Sequence, residues 1–118
     1  MFSAKRPEVR LDHIIQQIDI VTLAVREVTP EQAQADIILN LAIERSVQIV
    51  SEAAKELPVE LRNRYQDIHW QAIISIGNLL RHEYYRINPA DIWDIATVHF
   101  PALRPVVVRM LADLKASG

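Results

Sequence analysis

The chain has no cysteine among its 118 residues, so disulfides and thiolate metal sites are excluded. Its two glycines are too few for a turn-rich β architecture, and no Gly-rich phosphate loop is present. No run approaches the ~18 apolar residues needed to cross a bilayer. The charged start, Met1 to Asp12, lacks the apolar centre of a signal peptide. Together these absences predict a cytoplasmic protein without a membrane segment. Neither sign of charge dominates: the formal net charge of −2 argues against a broad basic surface for long duplexes. A local basic patch, and hence RNA, stays open.

Half of the residues are apolar and a quarter are charged, with Leu, Ile, Ala, Glu and Arg prominent. That composition favours helices. The length predicts one domain over residues 1–118. High apolar content in a short helical chain also points to surface buried between subunits.

Prolines divide the sequence. A first helix is expected from Glu8 to Val28, with an apolar stripe through Ile14, Ile18, Val21 and Val25. Thr29-Pro30 forms an N-cap and N1 pair. From there an uninterrupted helix to Leu57 would run ~40 Å. Ile38, Leu41, Ala42, Val50, Ala53 and Leu57 form its expected core face; Asn40, Glu44, Gln48, Ser51 or Glu52, and Lys55 form a polar stripe. After Pro58 a short turn reaches Tyr65, and a third helix starts near Trp70. Asn88-Pro89 opens a short helix through Ile95, while Pro101 and Pro105 mark the start of the last one. The expected fold is all-α, an up-and-down bundle of four to five helices.

The chemistry gathers in Gly77 to Tyr85. At ~100° per residue, Gly77, Asn78, Arg81, His82, Tyr84 and Tyr85 share an arc of roughly 160°. Ile73, Ile76, Leu79 and Leu80 are expected on the opposite, core-facing side. An amide, a guanidinium, an imidazole and phenols on one side are unlike the Lys and Glu of an ordinary solvent face. His82 suits general acid–base work, Arg81 suits phosphate, and Asn78 can orient the imidazole or donate to phosphate. Cleavage of RNA by its own 2′-hydroxyl needs only proton transfer and charge stabilisation, so neither metal nor cofactor is required. By spacing alone the plainer reading comes first: a helix ending in Arg-His-Glu-Tyr-Tyr is capped by its basic side chains. No HExxH or di-iron spacing is present, so no metal site is expected.

Two stretches resemble known proteins. "LNLAIERSVQIVSEAAKELP", Leu39 to Pro58, is similar to the long second helix of HepT-like proteins of the HEPN superfamily. "IHWQAIISIGNLLRHEYYRINPADIWDIA", Ile68 to Ala96, resembles the segment carrying that family's motif, and the likeness extends over residues 8 to 115. The resemblance implies a homodimeric helical bundle, the toxin of a two-component module, acting as a metal-independent ribonuclease on tRNA or mRNA. It also implies a minimal nucleotidyltransferase (MNT) antitoxin that silences the toxin by AMPylation of the motif tyrosine. By position His82 is the motif histidine and Tyr84 the motif tyrosine. Glu44, Glu52 and Tyr85 become candidates for lining the dimer cleft, with solvated ion pairs or interface packing equally open. The sequence departs from the motif at Gly77, where the family commonly has arginine. Two readings follow: Arg81 takes the phosphate role, or catalysis is lost and the chain is a helical dimer that binds a nucleotidyltransferase.

Overall fold

Proline and short capping side chains set most helix boundaries in the computed structural model, which describes residues 6–117. Pro7 opens α1 (Pro7–Val25). Thr29 caps α2 (Pro30–Ala35): its hydroxyl accepts from the Gln32 N–H while Gln32 returns a bond to the Thr29 N–H. Then follow α3 (Ile37–Glu56), α4 (Val59–Asn63) and α5 (Trp70–His82). A 3₁₀ turn spans Tyr84–Arg86. Next come α6 (Pro89–Asp94), a π-helical turn (Ile95–His99) and α7 (Phe100–Ser117). The described residues are helical throughout their regular structure, so the chain is an all-α bundle. The first five residues of the charged N-terminal segment lie outside the described residues.

Two boundaries differ from expectation. The long second helix is broken at Asp36, which leaves helical geometry with φ −103° and ψ 93°. Asp36 is a better cap than an interior residue: its carboxylate accepts from the Leu39 N–H, while Asn40 Nδ2 donates to the Ala33 carbonyl ending α2. The break turns the first residues of α3 outward. Ile38 (76% exposed), Leu41 and Ala42 therefore lie outside the core, which instead takes Ile43, Val47, Val50, Ala53 and Ala54. Conversely, Pro101 does not end a helix. The helical rod runs unbroken from Pro89 to Ser117. A proline cannot donate to the carbonyl one turn back, and the wider π turn just before it absorbs the defect. There the Phe100 N–H reaches the Ile95 carbonyl, and the Thr97 hydroxyl donates to the Trp93 carbonyl.

That rod contains a window of mean hydropathy 1.3, long and apolar enough by composition to cross a bilayer, unlike the sequence expectation. Its inner face is committed to the bundle, since Ile92, Ala96, Phe100, Leu103, Val107 and Met110 are buried.

The long helices form a row. α3 packs against α5 on one side and α1 on the other, and α1 in turn carries α7. Leu11, Ile14, Ile18 and Val21 of α1 sit at the centre of the core. Asp19 and Arg104 clasp α1 to α7 from outside through a bidentate pair at 2.7 and 3.2 Å. That hydrogen bond to Arg104 holds the Asp19 carboxyl below its ordinary value. Because α5 and α7 hardly touch, an apolar groove of about 570 Å³ opens between them, floored by Val47, Val50, Ile73, Ile76 and Leu103.

The segment before α5 is fastened at three points. Trp70 Nε1 donates to the Tyr65 carbonyl at 3.1 Å, the Tyr65 hydroxyl donates to Asp113 at 2.6 Å, and Arg109 stacks over the Tyr65 ring. The hydrogen bond to Asp113, then burial, raises the Tyr65 phenol above its ordinary 10.0. A raised folded value means that this contribution is whole below pH ~10 and is lost as pH climbs through the raised value. Tyr65→Phe is therefore expected to cost about 1–2 kcal/mol at neutral pH. Urea titrations at rising pH should show the gap between the two proteins closing in alkaline solution.

Candidate active site at the end of the fifth helix

Gly77 fixes where this site can stand. The sequence pattern put it on the polar arc, but in the structure it is buried with Trp70, Ile74 and Leu80 against α3. A Cβ built on Gly77 would overlap the Oγ and Cβ of Ser51. Ser51 is itself buried, and its hydroxyl donates to the Ile74 carbonyl at 3.0 Å. The missing side chain is thus a contact between two helices. No space is left beside residue 77 for the Arg81 side chain to enter. Ile73, Ile76 and Leu79 are correspondingly only half-buried.

With Gly77 seated on Ser51, the next residues flank the contact. Arg81 Nη1 donates to Glu52 Oε1 at 2.8 Å, and Nη2 donates to Asn78 Oδ1. Three of the residues singled out in the sequence, Asn78, Arg81 and Glu52, therefore form one chain of hydrogen bonds across α5 and α3. The Arg81 side chain is 29% exposed, held by two acceptors yet open to solvent on its remaining edge. His82 follows as the last residue of α5 and is exposed. Both basic groups sit in the last turn, where the negative end of the helix dipole favours cations.

The helix does not continue through Tyr85. Glu83 leaves helical geometry with φ −140° and ψ 46°, and Tyr84 and Tyr85 enter the 3₁₀ turn. The arc drawn from sequence therefore stops at His82. Both tyrosines project into solvent, 71% and 73% exposed, with rings in edge-to-face contact at 6.0 Å. Glu44 stands apart: it lies on α3 two turns before Glu52, and burial pushes its carboxyl above the usual range. Among the described residues, no group of three or more His, Asp or Glu is placed to hold a metal ion.

Beside Arg81 is a polar cavity of about 270 Å³, lined by Arg10, Glu52, Lys55, Glu56 and Arg81. Lys55 belonged to the polar stripe read from sequence, but Arg10 was missed. Nothing local marks it, because only the fold carries α1 to the ends of α3 and α5.

A family model for ribonuclease HepT-like proteins matches residues 13–110. The chain belongs to the HepT-like family. Among relatives of HepT-like proteins, one from Caldanaerobacter subterraneus subsp. tengcongensis, named "Putative RNase TTE0752", is 32% identical over 94% of this chain and 99% of its own length. "Probable ribonuclease HepT" of Thermococcus cleftensis is 23% identical over 80% of this chain and 86% of its own. A longer Methanocaldococcus jannaschii protein, whose name joins a gamma-glutamylcyclotransferase to an RNase, is 24% identical over 93% of this chain, which spans 50% of that relative. No solved structure matches the chain significantly. This HepT-like chain is thus of ribonuclease type by family.

The tightness of the Gly77 contact can be measured. Alanine gains ~1 kcal/mol of helix propensity over glycine. Ser51 cannot swing aside, however, without breaking a buried hydrogen bond. Gly77→Ala is therefore expected to destabilise by about 1–3 kcal/mol in urea unfolding. In a Ser51→Gly background the same change should be neutral or stabilising.

Proposed function

We propose that this HepT-like protein is a metal-independent endoribonuclease that acts as a homodimer, with Arg81 and His82 of each subunit facing one scissile phosphodiester. The observation that carries this reading is the Asn78–Arg81–Glu52 arrangement beside an exposed imidazole. Arg81 is pre-oriented by two acceptors, so little reorganisation accompanies its contact with a phosphorane-like transition state. One His82 takes the proton of the 2′-hydroxyl as its oxygen bonds to phosphorus. The partner subunit's imidazolium protonates the departing 5′-oxygen as the P–O bond breaks. The products are a 2′,3′-cyclic phosphate and a free 5′-hydroxyl. An imidazole can both accept and donate a proton, which makes histidine suited to both steps. The exposed Ile37, Ile38 and Leu41 at the start of α3 supply apolar surface for the dimer contact.

In this reading the protein is the cytoplasmic toxin of a toxin–antitoxin pair, acting on tRNA or mRNA, with a nucleotidyltransferase antitoxin that transfers AMP to Tyr84. The exposure of Tyr84 just beyond His82 supports that role, since its hydroxyl is open to an enzyme and a bulky anion there would stand beside Arg81 and His82. The buried Gly77 favours one competing reading, a non-catalytic dimer that binds the nucleotidyltransferase.

Expression of the chain alone should arrest growth, and His82→Ala should relieve the arrest while slowing RNA cleavage in vitro by about 10²- to 10⁴-fold. Unchanged cleavage by that variant would remove His82 from the chemistry. Incubation with ATP and the nucleotidyltransferase should add the mass of one AMP per transfer, read by intact mass spectrometry. Tyr84→Phe should block the addition; a persistent shift would assign the acceptor elsewhere, with Tyr85 first to examine.

A further inference from the structure

The cavity beside Arg81 collects three cations and two carboxylates on three helices: Arg10 from α1, Lys55, Glu52 and Glu56 from α3, and Arg81 from α5. The groups are not evenly matched. Glu52 is engaged by Arg81, and among the described residues neither Arg10 nor Lys55 forms an ion pair. Arg10 Nε is shielded from solvent and has no hydrogen-bond acceptor. Arg62 Nε shares that state, but Arg10 also lines the cavity.

The position of Arg10 sharpens the point. Lys55 and Arg81 lie in the last turns of α3 and α5, where cations are favoured. Arg10 lies one turn into α1, near the positive end of that helix, where a cation gains nothing from the dipole. Stability alone does not account for a guanidinium there, because a shielded donor without an acceptor opposes folding. The shielded Nε is out of an anion's reach, so it is the rest of the guanidinium, which lines the cavity and has no ion pair among the described residues, that is free to take one.

We infer that Arg10, together with Lys55, binds a backbone phosphate of single-stranded RNA next to the one that Arg81 and His82 address. This inference rests on the ribonuclease reading and adds to it a phosphate site on α1. Arg10 thereby supplies the second guanidinium that the motif position at Gly77 cannot hold. Glu52 keeps Arg81 turned toward the scissile phosphate, and Arg10 and Lys55 fix the register of the strand.

The test uses the full chain and a short single-stranded RNA with 2′-fluoro sugars, which presents phosphates but no attacking hydroxyl. Binding is followed by fluorescence anisotropy over a range of salt concentrations. Arg10→Gln is expected to weaken binding about tenfold and to reduce the slope of log affinity against log salt by about one. Arg10→Lys should retain most of the slope, and Lys55→Gln should lower affinity by a smaller factor. An Arg10→Gln protein that melts cooperatively yet binds with the wild-type affinity and slope overturns the inference. If Arg10→Gln fails to fold, Lys55→Gln decides, because its exposed side chain is not part of the core. Unchanged binding there, or no RNA binding by the wild type, also overturns it. Cleavage of ordinary RNA by the wild type is scored separately. Binding that depends on Arg10 without cleavage removes the nuclease and leaves the phosphate site standing. Cleavage with Arg10-independent binding does the reverse.

Discussion

The backbones of α3 and α5 meet where Ser51 faces Gly77, and everything chemically distinctive about this HepT-like chain is arranged around that contact. A hydroxyl on one helix bonds a carbonyl on the other, and the absence of a Cβ lets them approach. Any larger side chain at residue 77 must first push the helices apart. The glycine at residue 77 is therefore a packing requirement of the two helices.

Arg81 lies one turn beyond that contact on α5. A half-exposed ion pair contributes little to stability, so the bond from Arg81 to Glu52 matters more for direction than for energy. It spans α3 and α5 and, with Asn78 as the second acceptor, leaves the guanidinium few ways to turn. His82 and the two tyrosines are held differently, at and beyond a helix end, where side chains are accessible and the backbone changes course at Glu83. One guanidinium is held by two acceptors, and the imidazole and phenols beyond it are exposed.

Much of this was legible in the sequence. Thr29-Pro30, Pro58 and Asn88-Pro89 announce helix ends through chemistry that does not depend on the rest of the fold. The adjacency of Asn78, Arg81 and His82 is local as well. What escaped was whatever the third dimension decides. Asp36 looks like an interior residue until its carboxylate accepts from the Leu39 N–H and Asn40 caps the Ala33 carbonyl before it. Pro101 marks the start of the last helix as expected, yet the π turn joins that helix to α6 without a break. Gly77 sits on the polar arc of an isolated wheel, yet the helix is rotated so that its small residue meets Ser51. Arg10 has no sequence neighbour that betrays it.

The π turn has a consequence for how the chain tolerates change. It holds an extra residue in the rod, so that Ile92 before it, Ala96 within it and Phe100, Leu103, Val107 and Met110 after it point the same way. Deleting one residue between Ile95 and His99 would let the turn close into a regular α-turn with the stripe still in phase, whereas adding one would rotate everything downstream by roughly 100°. The apolar stripe of α7 would then swing off α1, and Arg104 would lose Asp19. Five residues thus act as the phase reference for the C-terminal helix, and length there is as binding a constraint as identity.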